Sequence, residues 1–75
     1  MKIRRRLGKA PHERGSLNNA TCPDIFELSD GRFAIIGTDV TDQLAGNGPQ
    51  VGGAERIVVI TRDTLLAARG DIPSV

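Results

Sequence analysis

The stretch DIFELSDGRFAII (residues 24–36) decides the fold of this 75-residue chain. Phe26 and Leu28 stand two positions apart, which places them on one face of a β-strand. Asp30-Gly31 then separates this run from a second apolar run, and Asp-Gly in that position is a strong short-range signal for a β-hairpin. We therefore predict strands at 24–28 and 32–36 joined by a tight turn.

Downstream of the hairpin, the pattern predicts a short helical turn near 41–45. Thr38 and Thr41 are its candidate N-caps, and Gly46 ends it. Residues 46–53 are rich in glycine and are predicted to form a loop.

The C-terminal third predicts one more strand and one helix. Residues 56–60 end in four consecutive apolar residues, the pattern of a strand covered on both faces. Thr61 is placed to cap a helix at 62–69, and Gly70 is placed to end it. The expected fold class is α+β: a small antiparallel or mixed three-stranded sheet (hairpin 24–36 and strand 56–60), the C-terminal helix 62–69 and the helical turn near 41–45. The direction of the third strand stays open.

The N-terminal segment differs from the rest in charge. Residues 1–14 carry six basic residues and one acidic residue, a net +5, whereas the remainder carries four basic and eight acidic residues, a net −4. Residues 1–21 show no periodicity, so we predict a flexible basic arm at 1–21 followed by one domain at 22–75. If the arm binds nucleic acid, its contacts to phosphates would be Lys2, Arg4, Arg5, Arg6 and Lys9.

A catalytic or metal site finds little support in the residue types. One cysteine, Cys22, and one histidine, His12, exclude an internal disulfide and a Cys/His zinc cluster. A Cys22–His12 dyad is formally possible, but we interpret Cys22 as a structural residue, because His12 lies in the predicted arm, where geometry cannot be held. Asp24, Asp39 and Asp42 do not form a dense oxygen-ligand loop. We expect no catalytic residue, no cofactor and no metal.

Small size points to association. A domain of this length buries only roughly 60% of the surface of its unfolded chain, and neither a disulfide nor a metal is at hand to compensate. One helix covers only one face of a three-stranded sheet, so we expect the last strand and the helix to form an interface with another chain, most simply a second copy. The predicted interface residues are Ile57, Val58, Val59, Ile60, Leu65 and Leu66. No apolar run exceeds four residues, so we expect no membrane span and a cytoplasmic protein.

Three segments carry a resemblance to known proteins: CPDIFELSDG at 22–31, AIIGTDVT at 34–41 and ERIVVITRDTL at 55–65. In these the chain resembles small uncharacterised actinobacterial proteins encoded beside helix-turn-helix developmental regulators. More loosely it resembles the BldB-like domain of unknown function, whose members are partners of such regulators. The resemblance implies a fold and a neighbourhood beside such regulators, and it implies no catalytic residue. Together with the expected interface between copies, it leads us to expect a homo-oligomeric interaction module that binds or modulates a helix-turn-helix regulator. Nucleic-acid binding by the basic arm is the alternative function.

Overall fold

The computed structural model describes residues 1–8 and 23–74. The fold is α+β, as predicted, with a three-stranded antiparallel sheet, a separate two-stranded sheet, a short helix and a C-terminal helix. In chain order the elements are β1 (Ile3–Arg6), β2 (Asp24–Leu28), β3 (Phe33–Ile36), β4 (Thr38–Asp39), α1 (Thr41–Leu44), β5 (Val58–Val59) and α2 (Arg62–Arg69).

The predicted hairpin is confirmed. Strands β2 and β3 pair antiparallel, with Ile25 opposite Ile35 and Phe26 opposite Ala34. The turn is closed by a hydrogen bond of 2.9 Å from the Leu28 N–H to the Arg32 carbonyl. Gly31 has a φ of +89°, a conformation that glycine adopts without the steric cost borne by other residues, so Asp-Gly marks this turn for a physical reason.

The third strand of the main sheet is the N-terminal segment, which corrects two predictions. Ile3–Arg6 forms β1 and pairs antiparallel with β2, so these residues are not a flexible arm, and the sheet order is β1-β2-β3. The strand was missed because cross-strand ion pairs hold it, with Arg5 opposite Glu27, and these leave no apolar period in the sequence. Residues 9–21 of the predicted arm lie outside the described residues.

The apolar run at 56–60 is not the third strand of that sheet. Only Val58–Val59 is a strand, and it pairs antiparallel with β4 so that Val59 lies opposite Thr38. It is not covered on both faces either, since Val58 and Val59 keep 37% and 46% of their surface exposed. Ile60, the last residue of the apolar run at 56–60, is apolar because it packs against the core and not because it lies in a covered strand.

Helix α2 has the predicted bounds and the predicted cap. The Thr61 hydroxyl accepts a hydrogen bond of 3.2 Å from the Thr64 N–H, and Gly70 is the C-cap. Helix α1 is present where a helical turn is predicted, but neither predicted cap acts as one: its N-cap is Val40, and Thr41 is the first helical residue.

The core lies between the main sheet and α2. Its buried members are Leu7, which follows β1, Ile25 of β2 and Ala68 of α2, with Ile60 packed against them. Gly8 approaches α2 so closely that a Cβ would meet the Ala67 backbone at 2.9 Å, and its N–H donates to Asp71 Oδ2 at 2.8 Å. The N-terminal residues are therefore part of the folded domain.

Candidate interaction surface

An apolar groove opens between the main sheet and α2. Its volume is about 210 Å³, and only carbon surface lines it. The lining residues are Leu7, Ile25, Phe33, Ile35, Leu65, Ala68 and Ile72. The sheet supplies Phe33 and Ile35 from one face of β3, because residues two apart on a strand point to the same side. The groove can therefore bind an aliphatic or aromatic group. It has no polar atom that could hydrogen-bond to a charged group.

The groove continues onto exposed apolar surface. Leu65 is 55% exposed, Phe33 43% and Ile35 50%, so the side chains that line the groove are also in contact with solvent. Only four apolar residues are buried among those that the structure describes: Leu7, Ile25, Leu28 and Ala68. A surface of large contiguous apolar side chains on so small a domain is typical of an interaction site.

Two arginines flank Leu65 on α2. Arg62 precedes it by three residues and Arg69 follows it by four, so all three lie on one side of the helix. Both arginines are exposed, and neither forms an ion pair with any residue of 1–8 or 23–74. This side of α2 therefore combines an apolar residue at the groove with an exposed arginine on each side of it.

The predicted interface residues are divided between different environments. Leu65 lines the groove, while Leu66 is nearly as exposed and does not line it. Ile57 and Ile60 are half-buried, Ile60 against the core, and Val58 and Val59 are exposed on the small sheet. The structure thus brings one of the six, Leu65, into the groove.

The predicted nucleic-acid contacts are partly neutralised within the chain. Arg5 Nε lies 2.8 Å from Glu27 Oε1, and Arg6 Nε lies 2.8 Å from Asp24 Oδ2. The guanidinium carbon of Arg6 also lies 5.2 Å from the centre of the Phe26 ring, a cation–π distance. Asp24 is only 4% exposed, so Arg6 supplies the charge that a buried carboxylate needs.

The other members of that set behave differently. Arg4 forms no ion pair within the described part of the chain and is exposed. Lys2 is held by its backbone N–H, which donates to Ser29 Oγ at 3.2 Å, and its side chain is exposed. Lys9 lies outside the described residues, as do His12 and Cys22.

A polar hollow of about 560 Å³ lies beside α1 and, like the groove, is open to solvent. Within it Asp39 Oδ1 accepts hydrogen bonds from the Thr41 N–H at 3.0 Å and the Thr41 hydroxyl at 2.7 Å, and these hold the pKa of the Asp39 carboxyl below its ordinary value. In the residues that can be described, no group of three or more His, Cys, Asp or Glu side chains is arranged to hold a metal. The polar side chain of Asp39 in this hollow therefore serves the start of α1, through its hydrogen bonds to Thr41.

Sequence reasoning missed most of the groove. Phe33 and Ile35 stand two positions apart in the predicted strand 32–36, and that alternation is the signal that these two wall residues share a face. Leu7 follows three arginines, and Ile72 lies beyond the glycine that ends α2. Neither of these two positions belongs to a periodic pattern, so only the tertiary structure brings them to the groove.

No family model, no curated protein and no solved structure matches the chain. No helix in residues 1–8 or 23–74 is long and apolar enough to cross a membrane.

Proposed function

We propose that the protein is a non-enzymatic interaction module that forms a homo-oligomer and binds a regulatory protein partner of the helix-turn-helix class. The observation that carries the proposal is the apolar groove between β3 and α2, lined by carbon side chains alone. The class of partner follows from the resemblance of segments 22–31, 34–41 and 55–65 to proteins encoded beside such regulators.

The size of the groove favours a protein partner over a small molecule. At about 210 Å³ it is smaller than the roughly 300–1,000 Å³ that pockets for drug-sized ligands occupy. It fits one or two apolar side chains inserted from a protein surface, which is how an amphipathic helix engages a hydrophobic groove.

The charges around the groove narrow the chemistry of the partner. Arg62 and Arg69 lie on either side of Leu65, and neither forms an ion pair among the described side chains. A partner helix with an aliphatic anchor and acidic residues one turn to each side would match this pattern, with the apolar anchor giving affinity and the charges giving orientation.

The test compares two leucines of the same helix. Leu65→Asp places a charge at the groove, whereas Leu66→Asp places the same charge one residue away, outside the groove lining, on a side chain of nearly equal exposure. Affinity purification of the tagged full chain from its host, read by mass spectrometry, should recover a helix-turn-helix regulator with the wild type and Leu66→Asp. With Leu65→Asp the recovery should fall at least about tenfold, because a charge in an apolar contact costs more than 1.4 kcal/mol.

Equal recovery with both variants would contradict binding at the groove. Circular dichroism of both variants is the matched control, since Leu65 and Leu66 are each about half exposed and neither substitution should unfold the chain.

Nucleic-acid binding by the basic N-terminal segment is the second candidate, favoured by Arg4, which is exposed and forms no ion pair with residues 1–8 or 23–74. Arg5 and Arg6 contribute less to it than their number suggests, because Glu27 and Asp24 already neutralise them. Retardation of duplex DNA at low salt that disappears in the Lys2→Gln/Arg4→Gln variant would favour this function over the first.

A further inference from the structure

We propose that two copies of the chain pair through the outer edge of β3, in antiparallel register about Ala34, to form one continuous six-stranded sheet. This deepens the proposed function, on whose homo-oligomer it rests, and it names the surface and the register of that assembly. The argument comes from the direction of main-chain groups, from the charges on the two sheet edges and from the side chains that the register brings together.

The edge of β3 presents unpaired main-chain groups. In an antiparallel pair, alternate residues turn both their N–H and C=O groups toward one neighbouring strand. The Leu28–Arg32 hydrogen bond places the even-numbered residues of β3 toward β2, and the bond from the Leu7 N–H to the Ile25 carbonyl places the odd-numbered residues of β2 toward β1. Phe33 and Ile35 therefore point their N–H and C=O groups away from β2, toward an edge that no strand of the described chain occupies.

The two edges of the sheet differ in charge. The opposite edge is β1, where a second copy would bring Arg4, which forms no ion pair in the described part of the chain, and the ion-paired Arg5 and Arg6 against the same three residues of its partner. Like charges on an edge strand are a common protection against such pairing. Strand β3 reads Phe-Ala-Ile-Ile, has no charge and no proline, and is exposed at Phe33, Ile35 and Ile36, so it lacks that protection.

Geometry then fixes the register. A two-fold pairing that satisfies the outward groups of both Phe33 and Ile35 sets Phe33 of one copy opposite Ile35 of the other, with Ala34 on the axis. Each contact of Phe33 with Ile35 is an aromatic–β-branched cross-strand pair, a favourable combination. The small side chain of Ala34 suits the axis, where two Cα atoms approach to about 4.5 Å.

The occupant is a second copy because the strand is complementary to itself. The register gives each outward N–H a carbonyl of the other copy and each exposed Phe33 an exposed Ile35. Phe33 and Ile35 also line the groove, so the pairing sets two grooves side by side on one face of the joint sheet. The dimer would thus offer the partner protein two adjacent apolar sites.

Cysteine cross-linking tests the register. In a Cys22→Ser background, Ala34→Cys places two thiols across the axis, within the Cα separation of less than about 7 Å that a disulfide needs. Ile36→Cys is the matched control on the same face of the same strand; Ile36 lies opposite Arg32 of the other copy, so its two Cα atoms stand about 14 Å apart. Mild oxidation should give a covalent dimer with Ala34→Cys and at least about tenfold less with Ile36→Cys.

Hydrogen exchange on the native chain provides a measurement without substitution. At high protein concentration the Phe33 and Ile35 amides should exchange at least about tenfold more slowly than after dilution, while the Ala34 and Ile36 amides, bonded to β2, should be protected at both concentrations.

The outcomes separate this proposal from the one on which it rests. A dimer by light scattering that cross-links equally through both cysteines, or through neither, would overturn pairing at β3 and leave the homo-oligomer standing. A monomer at every concentration, with fast exchange at Phe33 and Ile35, would overturn the edge pairing and the self-association together, while capture of the regulator through Leu65 would still be judged separately.

Discussion

At the scale of single residues, Gly37 decides how the two sheets meet. It connects β3 to β4, at the point where the chain leaves the main sheet and begins to pair with β5. A Cβ at Gly37 would overlap the carbonyl oxygen of Val59 and lie 3.1 Å from Ile60 Cγ2. Its φ is not in the left-handed region, so the position requires glycine because of this close approach and not because of backbone strain.

We expect Gly37→Ala to lower the free energy of unfolding by about 1–3 kcal/mol, the usual cost of forcing an extra group into a filled site. Gly46→Ala is the matched control, since a Cβ there meets open space and fewer unfolded conformations should make it neutral or stabilising by up to about 1 kcal/mol. Urea denaturation of both variants measures the difference. Equal stability of the two would show that β5 can move away from β4 at little cost.

At the scale of elements, the chain contains two kinds of signal. The hairpin and α2 were predictable because their determinants are local: Asp30-Gly31 for the turn, and Thr61 and Gly70 for the helix ends. Strand β1 was not predictable, because its partner lies some twenty residues away and its pattern is one of charge. The groove combines both cases, since Phe33 and Ile35 follow a strand period while Leu7 and Ile72 reach it only through tertiary contacts.

The hydrogen bonds at the start of helix α1 make the stability of the fold depend on pH. The Thr41 hydroxyl donates to Asp39 Oδ1 and accepts from the Ile57 N–H at 2.8 Å, so it joins the start of α1 to the segment before β5. Because the Thr41 N–H and then its hydroxyl lower the pKa of Asp39 in the folded state, Asp39 stabilises the fold above its unfolded pKa. That contribution is lost as the pH falls through the folded pKa.

We therefore expect the unfolding free energy of Asp39→Asn to depend less steeply on pH than that of the wild type in the acid range below about pH 4. A carboxyl-detected NMR titration of Asp39 checks the same point directly. In Thr41→Val the pKa should rise only part of the way to its ordinary value, because the main-chain N–H, the larger cause, is retained. An ordinary pKa for Asp39 in the wild type would contradict the bonding at α1.

At the scale of the whole molecule, the first eight residues complete the domain. Strand β1 covers one edge of β2, Leu7 fills the core between Ile25 and Ala68, and Gly8 reaches α2. The basic segment is thus bound to the sheet by two ion pairs, which neutralise Arg5 and Arg6 within the domain. Large apolar side chains also remain exposed, at the groove and along β3, and the association proposed above would cover them.

Removal of residues 1–8 should therefore abolish cooperative folding. It deletes the side chain of Leu7, whose loss alone costs about 2–5 kcal/mol, and leaves the buried Asp24 without Arg6. The free energy of unfolding of a domain of this size is little larger than this loss. Arg4→Gln, which removes a charge from the same segment without touching the core, should melt within a few degrees of the wild type by circular dichroism. A truncated chain that still melts cooperatively at the wild-type temperature would mean that β1 is dispensable, and the basic segment would then be free to act on a partner of its own.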